Sequence, residues 1–137
     1  MKLELHATPE EVMRAVEALR EFARAQCFSE RTVFDLALAL EECGSNIVNH
    51  AYKRDAHQKF TVTFHRNGSS IVLELRDYGP LFDPTDVLCK PLTDEDDPGG
   101  WGIQLVRGHM DELQYNREGE ENVLRLTKRL MPKENTT

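Results

Sequence analysis

The spacing of apolar residues changes once along this chain, and that change limits the possible folds more than any other feature. Up to about residue 52 the apolar positions recur at helical intervals; from Phe60 they alternate. Thr8-Pro9-Glu10-Glu11 reads as a helix start: a Thr cap, Pro at the first helical position and Glu three residues after the cap. Val12, Val16, Leu19 and Ala23 then form one buried stripe. Ser29 caps a second helix predicted over Glu30 to Ala51, with Val33, Leu36, Leu40, Ile47 and Ala51 as its core side. Beyond it, Phe60, Val62 and Phe64 alternate with Thr61, Thr63 and His65, Asn67-Gly68 signals a hairpin turn, and Ile71, Leu73 and Leu75 alternate again. Leu3 and Leu5 suggest a short strand ahead of the first helix. Helical spacing returns at Ile103, Val106 and Met110, followed by strand-like segments at 113–115 and 123–130. The order is helices first, strands later.

With 137 residues, the chain is expected to form one domain over 1–131, with Pro132 to Thr137 as a polar tail. The 17 Lys+Arg against 24 Asp+Glu leave a net charge of −7, which argues against a nucleic-acid binder needing a basic face. No apolar run approaches the ~18 residues that would span a bilayer, and the N-terminus shows no signal-peptide core. Cys27, Cys43 and Cys89 are an odd number without C-x-x-C spacing, so neither a disulfide framework nor a zinc site is indicated. A cytoplasmic protein is expected.

Three segments carry chemistry. On the second helix, Glu42, Asn46 and His50 recur every four residues and form a row roughly opposite the core stripe. An amide oxygen can ligate a hard cation, and a carboxylate one turn away can take a proton from a nucleophile. The same row also reads as the solvated face of an amphipathic helix. At the end of the hairpin's second strand, alternation puts Asp77 on the face of Ile71, Leu73 and Leu75. A carboxylate there needs a partner. The exocyclic amine of an adenine and the backbone N–H groups of the Tyr78-Gly79-Pro80 turn both qualify. Third, Gly99-Gly100-Trp101-Gly102-Ile103 precedes a helix, where bare N–H groups and the positive helix end can cradle phosphate. It also reads as the glycine-rich end of a loop. Residues 79–100 are rich in Pro and Gly and too long for a simple connection, and such loops are usually functional.

Taken in order, a helical E-x-x-x-N-x-x-x-H, then D-x-G-x-x-F-D, then a long loop and G-G-x-G before a helix resemble the Bergerat-type ATPase fold of gyrase B subunits and histidine kinases. Within it, the chain is similar to the stand-alone anti-sigma factor serine kinases. Glu42 to Tyr52 matches their N-box, Asp77 to Pro84 the adenine-binding box, and Gly99 to Arg107 the glycine box. The resemblance implies an α+β fold: a two-layer α/β sandwich with a mixed, mostly antiparallel sheet and helices on one face. It implies ATP and Mg²⁺ as cofactors, Asn46 as the metal ligand and Glu42 as general base toward a serine hydroxyl. Asp77 would read adenine, Gly79 would allow its close approach, and Gly99, Gly100, Gly102 and Ile103 would hold the phosphates. Phe82 and Trp101 would pack in the lid or pocket, and His50 would pack rather than react. Thr127 alternates away from Leu124 and Leu126 and stays out of the pocket. The implied activity is phosphorylation of an anti-sigma antagonist together with sequestration of a sigma factor, by a homodimer, with no direct contact to nucleic acid or membrane.

The chain departs from that pattern in its lid. Many relatives carry a basic residue shortly before the glycine pair, whereas here the run is Asp94-Glu95-Asp96-Asp97 and Lys90 is the lone cation between Phe82 and Gly100. Phosphoryl transfer rests on positioning and charge neutralisation, so a non-catalytic, ATP-dependent protein-binding switch is the alternative. The catalytic domain of a histidine kinase fits less well, because no phosphoacceptor helical hairpin precedes the ATP motifs. A structural protein without nucleotide would make the motif order a coincidence.

Overall fold

A computed structural model describes residues 1–80 and 106–130. Both helices begin where their caps sit. Thr8 Oγ1 accepts from Glu11 N at 3.2 Å, with Pro9 next, and opens α1 (Pro9–Ala25). Ser29 Oγ accepts from Thr32 N at 3.2 Å and opens α2 (Glu30–Asn46). Each cap satisfies an N–H that the first helical turn cannot, worth about 1 kcal/mol. Past Asn46 the winding widens into a π-helical turn, Ile47–Ala51, closed by Tyr52 N donating to Ile47 O at 2.9 Å. The second helical run thus reaches the expected Ala51, but its last turn is π rather than α.

Five strands follow the expected alternation: β1 (Lys2–His6), β2 (Lys59–Asn67), β3 (Ser70–Asp77), β4 (Glu112–Glu118) and β5 (Glu121–Arg129). They lie in the order β1-β2-β3-β5-β4. Every described pair is antiparallel, so the expected mixed sheet shows no parallel pair among the described residues. The β2–β3 turn falls on Gly68-Ser69, one residue past the expected Asn67-Gly68, because Asn67 already pairs with Ser70; Gly68 takes φ +61, a left-handed conformation that glycine adopts without penalty. Residues 106–109 are helical, and Met110 N closes on Val106 O at 2.9 Å.

The core lies between the helices and one sheet face. Leu5, Phe60, Val62, Phe64, Ile71, Leu73, Leu75 and Leu126 from the strands meet Val16, Leu19, Leu36 and Leu40 from the helices, all essentially without exposure. Each such side chain contributes about 1.5–3 kcal/mol by leaving water. The buried side of α2 is broader than one stripe, because Ala37, Ala39, Cys43 and Gly44 are buried too. Gly44 lets α1 come close: a Cβ there would lie 3.1 Å from Val12 Cγ1. On the opposite sheet face Arg76 bridges Glu74 at 2.7 Å and Glu121 at 2.9 Å, and Arg125 meets Glu74 at 2.9 Å. Thr127 lies on that face, opposite Val72, as expected. No helix among the described residues is long and apolar enough to cross a membrane.

Candidate functional site

The hydrophobic pattern places a carboxylate at the last position of β3 on the core-facing side, and the fold buries it. Asp77 is 6% exposed. Its Oδ1 accepts from Gly79 N at 2.8 Å and from Asn122 Nδ2 at 3.0 Å. Oδ1 thus caps its own turn, one of the two readings of Asp77, and Oδ2 has no hydrogen-bond partner among the described residues. Burial pushes this carboxyl above its ordinary value, against the pull of the Asn122 and Gly79 donors and of the nearby Arg117 charge.

Gly79 brings the two walls of the site together. A Cβ on it would sit 2.8 Å from Ala51 Cβ, 2.9 Å from Asp77 Oδ1 and 3.2 Å from Ala51 O. The reason for glycine is thus close approach to the end of the second helical run, not an unusual φ. Tyr52 ties the same two elements: its hydroxyl accepts from Tyr78 N and donates to Lys59 O, both at 2.7 Å. Burial raises the Tyr52 pKa and so keeps the phenol protonated.

Asn46 lies five residues before that contact, about 7 Å along the helix axis. Glu42 lies one α-turn earlier still, with Cβ atoms about 5–6 Å apart at this spacing. Both are half-buried, whereas Glu41 beside them is exposed. Neither side chain makes a hydrogen bond or ion pair among the described residues. The Glu42 and Asn46 positions are therefore partly turned from open solvent. Burial, helped by the Glu42 charge, pushes the Cys43 thiol up to about 12, so it takes no part as a nucleophile at neutral pH. His50, expected to pack, is exposed on the π-helical turn. Phe82, Gly99, Gly100, Trp101, Gly102 and Ile103 lie outside the described residues.

The structure adds side chains that the sequence reading did not single out. Asn122 is 5% exposed, stands opposite Asp77 in the β3–β5 register and also donates to Gly79 O at 3.2 Å and Pro80 O at 2.9 Å. Arg117 donates to Gly79 O at 2.9 Å and to Asn122 Oδ1 at 3.0 Å, and Tyr115 donates to the same Oδ1. An amide on the core-facing side of β5 was the available signal, hidden because that strand reads from Val123. Asp35 was likewise missed. It is buried on α2 and meets His109 Nδ1 and Lys128 Nζ, each at 3.0 Å.

Among known proteins, residues 5–128 match the model of the histidine kinase-like ATPase domain. The serine/threonine-protein kinase BtrW of Bordetella bronchiseptica is 33% identical over 95% of this chain and 94% of its own. The serine-protein kinase RsbW of Listeria innocua is 30% identical over 89% of this chain and 83% of its own. In fold, the chain is similar to a structure from the SiaB-SiaC complex of Pseudomonas aeruginosa (TM-score 0.72, 15% identity, 93% of this chain and 88% of that one). It is also similar to the RsbU and RsbW domains of Rv1364c from Mycobacterium tuberculosis (TM-score 0.64, 19% identity, 95% of this chain and 32% of that one).

Proposed function

The chain belongs to the histidine kinase-like ATPase domain family, and from that premise we propose that it is an ATP-dependent protein serine kinase acting on an anti-sigma antagonist. In the same proposal it sequesters a sigma factor, works as a homodimer and resides in the cytoplasm. The kinase names of relatives that align over most of both chains support the activity. The observation that supports the site most is the close approach of Gly79 to Ala51, which brings the buried Asp77 turn against the end of the helical run that carries Glu42 and Asn46.

The roles follow from what each group can do. Asp77 Oδ2 accepts a hydrogen bond from the adenine amine, and Gly79 lets the turn that caps Asp77 close onto Ala51 at the edge of the base site. Glu42 accepts the serine proton as the hydroxyl attacks. Asn46 offers a single hard amide oxygen without a partner among the described residues. Among the described residues no group of three or more His, Cys, Asp or Glu side chains could hold a metal. This donor set fits an ion that arrives with its phosphates and keeps most positions for them and for water. Mg²⁺ held there would neutralise charge on the triphosphate. The glycine box, with Phe82 and Trp101 around it, completes the phosphate and lid side of the proposal.

Single-turnover transfer from γ-labelled ATP to a serine-bearing antagonist tests the reading. Glu42→Ala should slow transfer about 10²–10⁴-fold, with ATP affinity kept within about threefold, because the base acts on the hydroxyl and not on the nucleotide. An unchanged rate removes Glu42 from that role. ATP binding without any transfer by the wild type would instead leave the nucleotide-gated binding switch, which the acidic run Asp94-Glu95-Asp96-Asp97 favours.

A further inference from the structure

Asn122 has no place in the motifs that define the site, yet it is as buried as Asp77 and uses its whole hydrogen-bonding capacity there. Its amide orientation is fixed by its neighbours. Arg117 can only donate, so it and the Tyr115 hydroxyl claim Oδ1, while Nδ2 faces the Asp77 carboxylate and the carbonyls of Gly79 and Pro80. We infer that Asn122 is the positioning residue that sets base specificity, clamping Asp77 Oδ1 so that Oδ2 is presented as a lone acceptor for an exocyclic amine. The inference rests on the reading of this crevice as the ATP site.

The chemistry of the clamp explains why it would select. A carboxylate rotates nearly freely about its last bond and can satisfy either oxygen with water. With Oδ1 held by two donors, rotation would forfeit both, so the open acceptor keeps one position and direction. A base with an amine at that point gains a charge-assisted hydrogen bond, whereas one with a carbonyl sets acceptor against acceptor. Asn122 reaches this end of the site from the β4–β5 hairpin. Its hydrogen bonds among the described residues include none to Glu42 or Asn46, so its effect should be confined to the base.

Competitive titration of the full chain, in Mg²⁺, with ATP and with purine riboside 5′-triphosphate, which lacks the exocyclic amine, tests this. The wild type should prefer ATP by about 10–100-fold, the worth of one charge-assisted hydrogen bond. Asn122→Ala should reduce that preference about fivefold or more, for a loss near 1 kcal/mol, while affinity for the amine-free analogue stays within about twofold. Should that variant fail to fold, Asn122→Leu keeps the volume but removes the donor to Asp77 without adding a charge, and the same fall in preference is expected. A folded variant with wild-type preference, or one that loses both nucleotides in parallel, overturns the positioning role alone. A wild type that binds neither nucleotide overturns the ATP site and this inference with it.

Discussion

Replacing Gly79 by Ala tests the closest approach in the site. The new Cβ would meet Ala51 Cβ at 2.8 Å, Asp77 Oδ1 at 2.9 Å and Ala51 O at 3.2 Å. Carbon atoms rest at about 3.5–4.0 Å, so the first contact is short by roughly 1 Å. None of these neighbours is the loose end of a flexible side chain. Ala51 belongs to the π-helical turn, and Asp77 Oδ1 is held by Gly79 N and Asn122. The segment at 77–79 must therefore move off the end of the helix. Overpacking of this kind costs about 1–3 kcal/mol. Alanine offsets about 0.4–1 kcal/mol of that by restricting the unfolded chain, since the native φ at Gly79 is not left-handed. The net expectation is a loss of between about 0 and 2.6 kcal/mol, or up to roughly 10 °C in melting temperature for a domain of this size. Urea denaturation followed by circular dichroism reads the stability. ATP affinity should fall at least about tenfold, because the carboxylate moves relative to Asn46. Adding Ala51→Gly removes the 2.8 Å contact but not the 2.9 Å one, so the double variant should recover only part of the loss. A Gly79→Ala protein as stable as the wild type, with unchanged ATP affinity, would refute the close approach of the two walls.

Asp77→Asn should separate stability from function. Folding raises the Asp77 pKa, so its favourable contribution is complete below the unfolded value of about 3.9 and is lost as pH rises through the folded one. Asparagine keeps an acceptor for Gly79 and Asn122 without that titration. The melting-temperature difference, variant minus wild type, should therefore grow as pH is raised from about 3.5 toward 7; a flat or shrinking difference contradicts it. Asp35→Ala strands Lys128 and His109, which meet the buried carboxylate at 3.0 Å each. Both partners are partly exposed, so the cost should be about 2–3 kcal/mol, below that of a fully buried pair. An unshifted urea midpoint would count against the interaction.

What the sequence made legible was local. Thr8 and Ser29 announce their helices because a cap is a short-range hydrogen bond, and Asn67-Gly68 announces its hairpin because the turn demands a left-handed residue. Leu73 and Leu75 point Asp77 to the core side by alternation alone. The π winding of Ile47–Ala51 was not legible, since apolar spacing extends through it unchanged. That turn ends where Tyr52 is anchored by Lys59 O and Tyr78 N and where Gly79 presses on Ala51, contacts made across tertiary distance. Asn122 was hidden for the same reason: its meaning comes from standing opposite Asp77 in a register that joins residues 45 apart. Asp35 carries no local signal of burial, and it is met by Lys128 from β5 and by His109 from the helical residues 106–109.

The most direct test of the whole account is calorimetric titration of Mg-ATP into the wild type, Asn46→Ala and Asp77→Asn, one variant for each wall of the crevice. Saturable heat in the wild type, with affinity weakened at least about tenfold by either substitution, is the expected result. Absence of heat in the wild type, or wild-type affinity in both variants, would mean that no nucleotide binds between α2 and the sheet.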